Sequence, residues 1–185
     1  MLYQTRYVIA DAIATQERVI QLGGESHGNY RFTDHIFAPS LSANIKRHVL
    51  RIRQYDRSDS SLIGSKYLVT EKTVEWSIAS KTEKVLNTNN FCTLLDAIRY
   101  IENRYPKHQL LFTFNRLGWH YSLVGNDIFI EDMVETGPSM EIHTEHIKML
   151  TILAAALKAG EQWTDSVPSA IQKIILQKKN IVVAE

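Results

Sequence analysis

The stretch FNRLGWHYSLVGNDIFIEDMVETGPSMEIH, residues 114–143, contains the pattern that decides the fold. It continues the apolar run QLLFTFN and holds three more segments rich in β-branched and aromatic residues, GWHYSLV, NDIFIEDMV and PSMEIHT. Gly118, the pair Gly125 and Asn126, and the pair Thr136 and Gly137 separate these segments, and such residues favour turns. The stretch therefore predicts four short strands joined by tight turns, as an antiparallel meander.

Further strands and helices are predicted on both sides of this meander. Strands are expected at residues 2–9, 30–37, 46–55 and 65–80, with KTEKVLN as a partner of the last. Helices are expected after an Asp11 cap, ending at Gly23 and Gly24; after an Asn90 cap; and at residues 145–158 and 168–179. The predicted fold class is α+β, an eight-stranded, largely antiparallel barrel that is closed or nearly closed, with flanking helices.

Composition limits the classes of function. The chain has 185 residues, 44% of them hydrophobic and 22% charged, and 21 Lys and Arg against 20 Asp and Glu leave a net charge of +1. A near-neutral chain has no broad basic field for duplex DNA, so any anion site is expected to be local. We expect a barrel over residues 1–145 and a helical extension over 146–185 that packs on the barrel or on a partner.

The expected location is cytoplasmic. Cys92 is the only cysteine, so no internal disulfide can form, and we expect it to be a buried or half-buried inert thiol. No apolar run near the start has the length of a signal peptide, and none elsewhere could span a membrane. Association with a membrane is therefore not expected.

Charged side chains of both signs fall at strand positions. The basic ones are Arg6, Arg51, Arg53, Lys72 and Arg116; the others are Glu83, Glu131, Glu141 and His143. If a barrel brings these faces together, cations and acids would line its interior and suit a polyphosphate bridged by a divalent metal. The alternative is that each residue belongs to the solvated face of an antiparallel sheet.

The order of these pieces resembles the CYTH family of triphosphate tunnel enzymes, which includes class IV adenylyl cyclases and thiamine and inorganic triphosphatases. VLRIRQY followed by LVTEK is similar to the family's L-R-I-R and L-T-x-K strands, and residues 114–143 are similar to its closing strands. The resemblance covers about residues 2–145 and implies an eight-stranded tunnel. The family's opening E-x-E-x-K strand appears here as Leu2, Gln4 and Arg6, and His143 stands in place of its last acid.

The resemblance also implies roles for individual residues. The implied catalytic acids are Glu83, Glu131 and Glu141; the implied phosphate-binding residues are Arg6, Arg51, Arg53, Lys72 and Arg116; the implied metal ligands are Glu141, Glu131 and His143. Mg²⁺ or Mn²⁺ is the expected ion, although Leu2 and Gln4 remove two of the family's carboxylates.

Two classes of function follow from the resemblance, with a third on the same fold. The first is a metal-dependent enzyme, a phosphohydrolase or an adenylyl cyclase, that acts on a nucleotide, inorganic or RNA 5′ triphosphate. The alternative is a non-catalytic sensor, carrier or sponge that binds a nucleotide or polyphosphate. The third is a protein-interaction module, and the tail stripe of Ile147, Leu150, Leu153 and Leu157 could also support a homodimer.

Overall fold

Alternation of β-branched and aromatic residues with polar ones produces the strands of this chain. A computed structural model describes residues 2–56, 66–77 and 80–183, with side chains as far as residue 179. Its strands are β1 (Tyr3–Val8), β2 (Glu25–Ala38), β3 (His48–Tyr55), β4 (Tyr67–Trp76), β5 (Lys81–Phe91), β6 (Gln109–Leu123), β7 (Asn126–Met133) and β8 (Gly137–Thr144). Its helices are α1 (Ala12–Gln21), α2 (Leu94–Arg104), α3 (Ile147–Ala156) and α4 (Val167–Val183).

The strands form a closed barrel in the order β1-β5-β4-β3-β2-β6-β7-β8. β1 closes the ring because it pairs with β8 on one side and with β5 on the other, antiparallel in both cases. The β2–β3, β3–β4, β6–β7 and β7–β8 pairs are antiparallel as well. The predicted α+β class with a closed eight-stranded antiparallel barrel is confirmed.

Two of the predicted strands are one. The expected break at Gly118 is wrong, since β6 runs without interruption from Gln109 to Leu123. Gly118 is required for packing rather than for a turn, because a Cβ atom built there would lie 2.3 Å from Cζ of Tyr30. The glycine therefore leaves room for the ring of Tyr30 to lie against the strand.

The start of α2 also differs from the prediction. The cap is Thr93 rather than Asn90, which belongs to β5. Thr93 Oγ1 accepts a hydrogen bond of 3.1 Å from the backbone N–H of Asp96 and donates one of 2.6 Å to the carboxylate of Asp96. Cys92, beside this cap, is exposed, so the expectation of a buried thiol is wrong. Its position just before the helix, outside the apolar stripe, accounts for the exposure.

The predicted bounds of α1 and β4 lie close to those of the structure, whereas β2 begins at Glu25, five residues before the predicted start. Asp11 caps α1, with its Oδ1 accepting from the backbone N–H of Ala14 at 2.8 Å, and Gly23 follows the helix at φ +85°. The strand predicted at 65–80 is β4, Tyr67–Trp76; residues 65, 78 and 79 lie outside the described residues.

The chain divides into two compact units. The first contains Met1–Arg31, Glu75–Thr82 and Asn115–Thr164, and the second contains Phe32–Val74, Glu83–Phe114 and Asp165–Glu185. In the first unit α1 contacts β7, and α3 contacts β8 and β1. A buried apolar cluster fills the space between these helices and strands; it includes Tyr7, Val19, Ile130, Met140, Ile142 and Leu150.

In the second unit α2 contacts β3. Ala97 and Ile101 of the helix pack with Leu50, Ile52 and Val69 of the sheet in a second buried apolar cluster. Both clusters obey the same rule, since every second side chain of a strand faces the helix and the intervening ones face the other way. In each unit the intervening side chains therefore lie on the strand face opposite the helices.

None of the helices in the described part of the chain is long and apolar enough to cross a membrane.

The cap of α2 gives a direct test of the fold. Thr93→Ala removes the acceptor for the Asp96 N–H and should lower the free energy of unfolding by about 1 kcal/mol. Asn90→Ala is the matched control and should leave it nearly unchanged, because Asn90 is exposed and precedes the helix. Urea denaturation of both variants measures the difference; an equal loss from Asn90→Ala would contradict the assigned cap.

Candidate functional site

Charged residues occupy the strand face that the helices leave open in the first unit. Ile130 and Met140 face the helices, so their neighbours Glu131 and Glu141 point to the opposite face. The same alternation places Arg6 beside Tyr7 on that face. We call the set Arg6, Lys81, Arg116, Glu131 and Glu141 the Arg6 cluster. All five residues are buried, and Glu131 is only 2% exposed.

Arg6 joins the two carboxylates of this cluster. Its Nη1 donates to Oε2 of Glu131 at 2.6 Å and to Oγ of Ser139 at 2.8 Å, while its Nη2 donates to Oε2 of Glu141 at 2.5 Å. The register explains the contact, because Arg6 lies directly opposite Glu141 in the β1–β8 pair and Ser139 lies opposite Glu131 in the β7–β8 pair. The guanidinium therefore bridges neighbouring strands.

Other side chains complete the shell of the two carboxylates. Nη2 of Arg116 donates to both carboxylate oxygens of Glu131, and the hydroxyl of Tyr30 donates to Oε1 of the same carboxylate at 2.7 Å. Nζ of Lys81 lies 2.6 Å from Oε1 of Glu141 as an ion pair, at an angle outside hydrogen-bond geometry. Three cations thus face two carboxylates in a buried space.

The pKa directions agree with this pairing. Burial raises the pKa of Glu131, but the guanidiniums of Arg116 and Arg6 outweigh it and lower the pKa to about 2. Burial likewise acts to raise the pKa of Glu141, and Arg6 and Lys81 bring it well below its usual range. Burial lowers the pKa of Arg6, yet the two carboxylates raise it above its ordinary value. All three groups are charged at neutral pH.

A second charged group lies in the second unit. Leu50 and Ile52 face α2, so Arg51 and Arg53 point to the opposite face of β3. We call the set Asp34, Arg51, Arg53, Lys72 and Glu83 the Arg53 cluster. Its members come from β2, β3, β4 and β5.

Asp34 organises the Arg53 cluster. Its side chain is 0% exposed and accepts from Nε and Nη2 of Arg53 at 2.8 and 2.9 Å, and from Nη1 of Arg51 at 3.4 Å. Nζ of Lys72 donates to Oε2 of Glu83 at 2.6 Å. The ring of Phe32 lies 3.5 Å from Cζ of Arg53. Arg51, Arg53 and Lys72 keep 13–14% of their side-chain surface accessible.

The structure brings the predicted site residues together in these two groups. Arg6, Arg116, Glu131 and Glu141 meet in the first unit, where His143 Nε2 lies 3.8 Å from Oε2 of Glu141, beyond hydrogen-bond distance. In the second unit Arg51 and Arg53 pair with Asp34, and Lys72 pairs with Glu83. The alternative of a solvated sheet face is wrong for the Arg6 cluster, because its members are buried.

Sequence reasoning missed Asp34, Lys81, Tyr30 and Ser139. The available signal for Asp34 was its position within a predicted strand, two residues from the apolar Phe32 and Ile36, where an acid needs a partner. Lys81 stood at the start of the segment KTEKVLN, and the pairing of that segment with β1 was not predicted. Tyr30 and Ser139 gave no signal, since their contacts depend on the register of the barrel.

The acids of the Arg6 cluster do not fit a divalent cation as they are folded. A hard cation needs carboxylate oxygens free to coordinate it, and those of Glu131 and Glu141 are already held by guanidinium and ammonium groups. Among the described residues, no group of three or more His, Cys, Asp or Glu side chains is arranged to hold a metal ion. The assignment of Glu131, Glu141 and His143 as metal ligands stays a prediction.

The pairing of Glu131 predicts a dependence of stability on pH. Its folded pKa of about 2 lies below the ordinary 4.5, so its stabilising contribution is full above about pH 4.5 and is lost as the pH falls towards 2. Glu131→Gln leaves Arg6 and Arg116 without this charge and should lower the free energy of unfolding by about 3–5 kcal/mol at neutral pH. The variant should also lose part of the acid dependence.

Urea denaturation across this pH range, with Asp132→Asn as the control, measures both effects. Asp132 is the next residue on β7 and is exposed. Its substitution should therefore change neither the free energy of unfolding at neutral pH nor the dependence of that free energy on pH by much. Parallel curves for wild type and Glu131→Gln would contradict the assigned ion pair.

The fold has counterparts among solved structures. No protein-family model and no curated protein matches the sequence. A candidate adenylate cyclase from Vibrio parahaemolyticus superposes with a TM-score of 0.68 at 14% identity, over 92% of this chain and 97% of that one. A candidate adenylyl cyclase from Hippeastrum, described as having a dominant triphosphatase activity, gives 0.68 at 14% identity, over 94% and 96%.

A protein from Pyrococcus horikoshii is similar to the same degree, with a TM-score of 0.68 at 16% identity, over 87% of this chain and 92% of that one. At such identities the likeness concerns the fold, and it extends over nearly the whole length of both chains. Together with the closed order of the eight strands, it confirms the fold that the sequence predicted. This chain therefore shares the closed eight-stranded barrel of these structures, the fold that its resemblance to the CYTH family implied.

Proposed function

We propose that this protein binds the triphosphate group of a nucleotide, an inorganic triphosphate or an RNA 5′ end, and that Arg51, Arg53 and Lys72 are the phosphate-binding residues. The observation that carries the proposal is the Arg53 cluster, in which three cations lie on one sheet face, Arg51 and Arg53 paired with Asp34 and Lys72 paired with Glu83. Guanidinium and ammonium groups on one face are the donors that bind phosphate oxygens.

The two arginines of the cluster are held differently. The fully buried Asp34 fixes the guanidinium of Arg53 through two bonds and contacts Arg51 through one longer bond of 3.4 Å. A guanidinium held by a buried carboxylate is already oriented, so less conformational entropy is lost when it meets a phosphate. Asp34 is therefore a positioning residue for the cations on either side of it.

Partial burial favours phosphate binding over a purely structural role. The three cations keep 13–14% of their side-chain surface accessible, whereas Asp34 keeps none. Charge-assisted hydrogen bonds are stronger where water is scarce, and a bound phosphate could still reach these groups. Arg51 and Lys72 are diagonal neighbours across the β3–β4 pair, since Arg51 lies opposite Thr70. Long side chains on such diagonal positions can contact one ligand.

The structural likeness supports the same class of ligand. Two of the similar structures are candidate adenylyl cyclases, and one of these is described as a triphosphatase. Both kinds of reaction begin with a bound triphosphate. Nucleotides and polyphosphates are cytoplasmic ligands, which agrees with the location expected from the sequence.

A second candidate function is catalysis on the triphosphate, either release of phosphate or formation of a cyclic nucleotide. The likeness to the Hippeastrum protein favours it. The acids Glu83, Glu131 and Glu141 are the catalytic residues that the sequence resemblance implies. Each of them is held by a cation in the structure, so binding without turnover is the function that the geometry supports best.

Binding is tested by isothermal titration calorimetry with tripolyphosphate, ATP and GTP. Arg51→Gln and Lys72→Gln should each weaken tripolyphosphate binding about tenfold or more, because a hydrogen bond to a charged group contributes about 1.5–3 kcal/mol. Arg31→Gln and Lys84→Gln are matched controls, since both side chains are exposed on β2 and β5. Their affinities should stay within about twofold of wild type.

Two outcomes would count against the phosphate site. One is the absence of any binding of tripolyphosphate by the folded wild type. The other is equal affinity for the wild type and for both site variants, which would place the ligand elsewhere on the molecule. Far-UV circular dichroism and thermal unfolding of every variant show whether a loss of affinity comes from loss of structure.

Turnover is tested with the same ligands by phosphate release and by formation of cyclic nucleotide, with and without Mg²⁺ or Mn²⁺. We expect binding without measurable turnover. Turnover that Glu83→Gln or Glu141→Gln abolishes, with ligand affinity retained, would establish the enzyme instead.

A further inference from the structure

We infer that Arg6 takes the place of a divalent cation between Glu131 and Glu141, and that the protein takes its polyphosphate as the metal-free anion. The role of Arg6 depends on the Arg6 cluster alone, whereas the metal-free form of the ligand rests on the proposed function.

The position of the Arg6 guanidinium is the first argument. Oε2 of Glu131, Oε2 of Glu141 and Oγ of Ser139 converge on its two terminal nitrogens at 2.6, 2.5 and 2.8 Å. Two carboxylates and a hydroxyl that point at one centre form the kind of oxygen set that Mg²⁺ or Mn²⁺ selects. In this chain the centre is filled by a cation that belongs to β1.

The remaining oxygens of the two carboxylates are the second argument. Oε1 of Glu131 accepts from Arg116 and from the hydroxyl of Tyr30, and Oε1 of Glu141 is paired with Nζ of Lys81. While Arg6 is in place, a metal ion could coordinate these carboxylates only by displacing one of the three cations. A displaced cation would then lose a carboxylate contact in a space shielded from water, which is strongly unfavourable.

Charge balance is the third argument. Arg6, Arg116 and Lys81 already outnumber the carboxylates of Glu131 and Glu141, and all five side chains are at most 10% exposed. A divalent cation would add two positive charges beside three buried cations. The lowered pKa values of Glu131 and Glu141 and the raised pKa of Arg6 are consistent with charges that this pairing already satisfies.

Mg²⁺ and the cations of the protein compete for the same phosphate oxygens of the ligand. Mg²⁺ binds the oxygens of a polyphosphate and neutralises part of its charge, which helps only a protein that supplies acids to hold the ion. A protein whose cations are its own binds the free anion better, because no phosphate oxygen is then occupied by metal. Binding should therefore persist in EDTA and weaken when Mg²⁺ is in excess.

Titration with Mn²⁺, followed by the electron paramagnetic resonance signal of the free ion, tests the role of Arg6 without any phosphate. Wild type and the exposed control Arg31→Gln should leave the signal of the free ion unchanged. Arg6→Gln removes the bridging cation and keeps both carboxylates, so it should bind one Mn²⁺ at least about tenfold more tightly than wild type.

A wild type that binds one Mn²⁺, and loses it in Glu141→Gln, would overturn the inference. A folded Arg6→Gln variant that still binds no Mn²⁺ would also overturn it. If Arg6→Gln does not fold, Arg6→Lys replaces it, because lysine keeps one cation but cannot bridge both acids. Arg6→Lys should show weak Mn²⁺ binding that wild type lacks. Absence of Mn²⁺ binding by Arg6→Lys would count equally against the role of Arg6.

Calorimetry of wild type with tripolyphosphate, in EDTA and then with excess Mg²⁺, tests the form of the ligand. We expect binding in EDTA and about tenfold weaker binding with excess Mg²⁺. Binding only in the presence of Mg²⁺ would overturn the metal-free ligand. Failure to bind in both conditions would overturn the proposed function and with it the ligand, whereas the Mn²⁺ titration would still decide the role of Arg6.

Discussion

The ion pairs of Arg6 with Glu131 and Glu141 are the interaction on which the first unit depends. Charges this deeply buried are tolerated only when they are paired, and breaking one pair leaves an uncompensated charge. The pairs require that β1, β7 and β8 keep one register, because a slip by one residue would turn Arg6 towards the apolar cluster under α1 and α3. The cluster therefore fixes the alignment of three strands as well as their charges.

The same constraint accounts for smaller features of the first unit. Tyr30 reaches Glu131 only because Gly118 has no side chain in the path of the ring. The burial of Tyr30 and the nearby Glu131 carboxylate raise the pKa of its phenol, so the hydroxyl remains a donor. A glycine that looked like a turn in the sequence is thus part of the packing around a buried carboxylate.

The two charged clusters are similar in composition and differ in the burial of their cations. Each sets three cations against two carboxylates on the sheet face that the helices leave open. The acids of the Arg6 cluster are surrounded by cations, and all its members are buried. The Arg53 cluster keeps accessible surface on Arg51, Arg53 and Lys72 and holds only Asp34 in full burial. The two clusters therefore have similar residue types and differ in how far their cations are buried.

The sequence by itself determined the class of the fold, because alternation and turn residues are local signals that survive in every strand of the barrel. It also predicted the cap of α1 and most of the charged residues of the Arg6 and Arg53 clusters. A charged residue within a predicted strand is easily recognised in the sequence. Only the tertiary structure decided which charges pair, that Asp34 and Lys81 take part, and that β6 continues through Gly118. Pairing depends on strand register across residues more than one hundred positions apart, such as Arg6 and Glu131, and no local pattern encodes that distance.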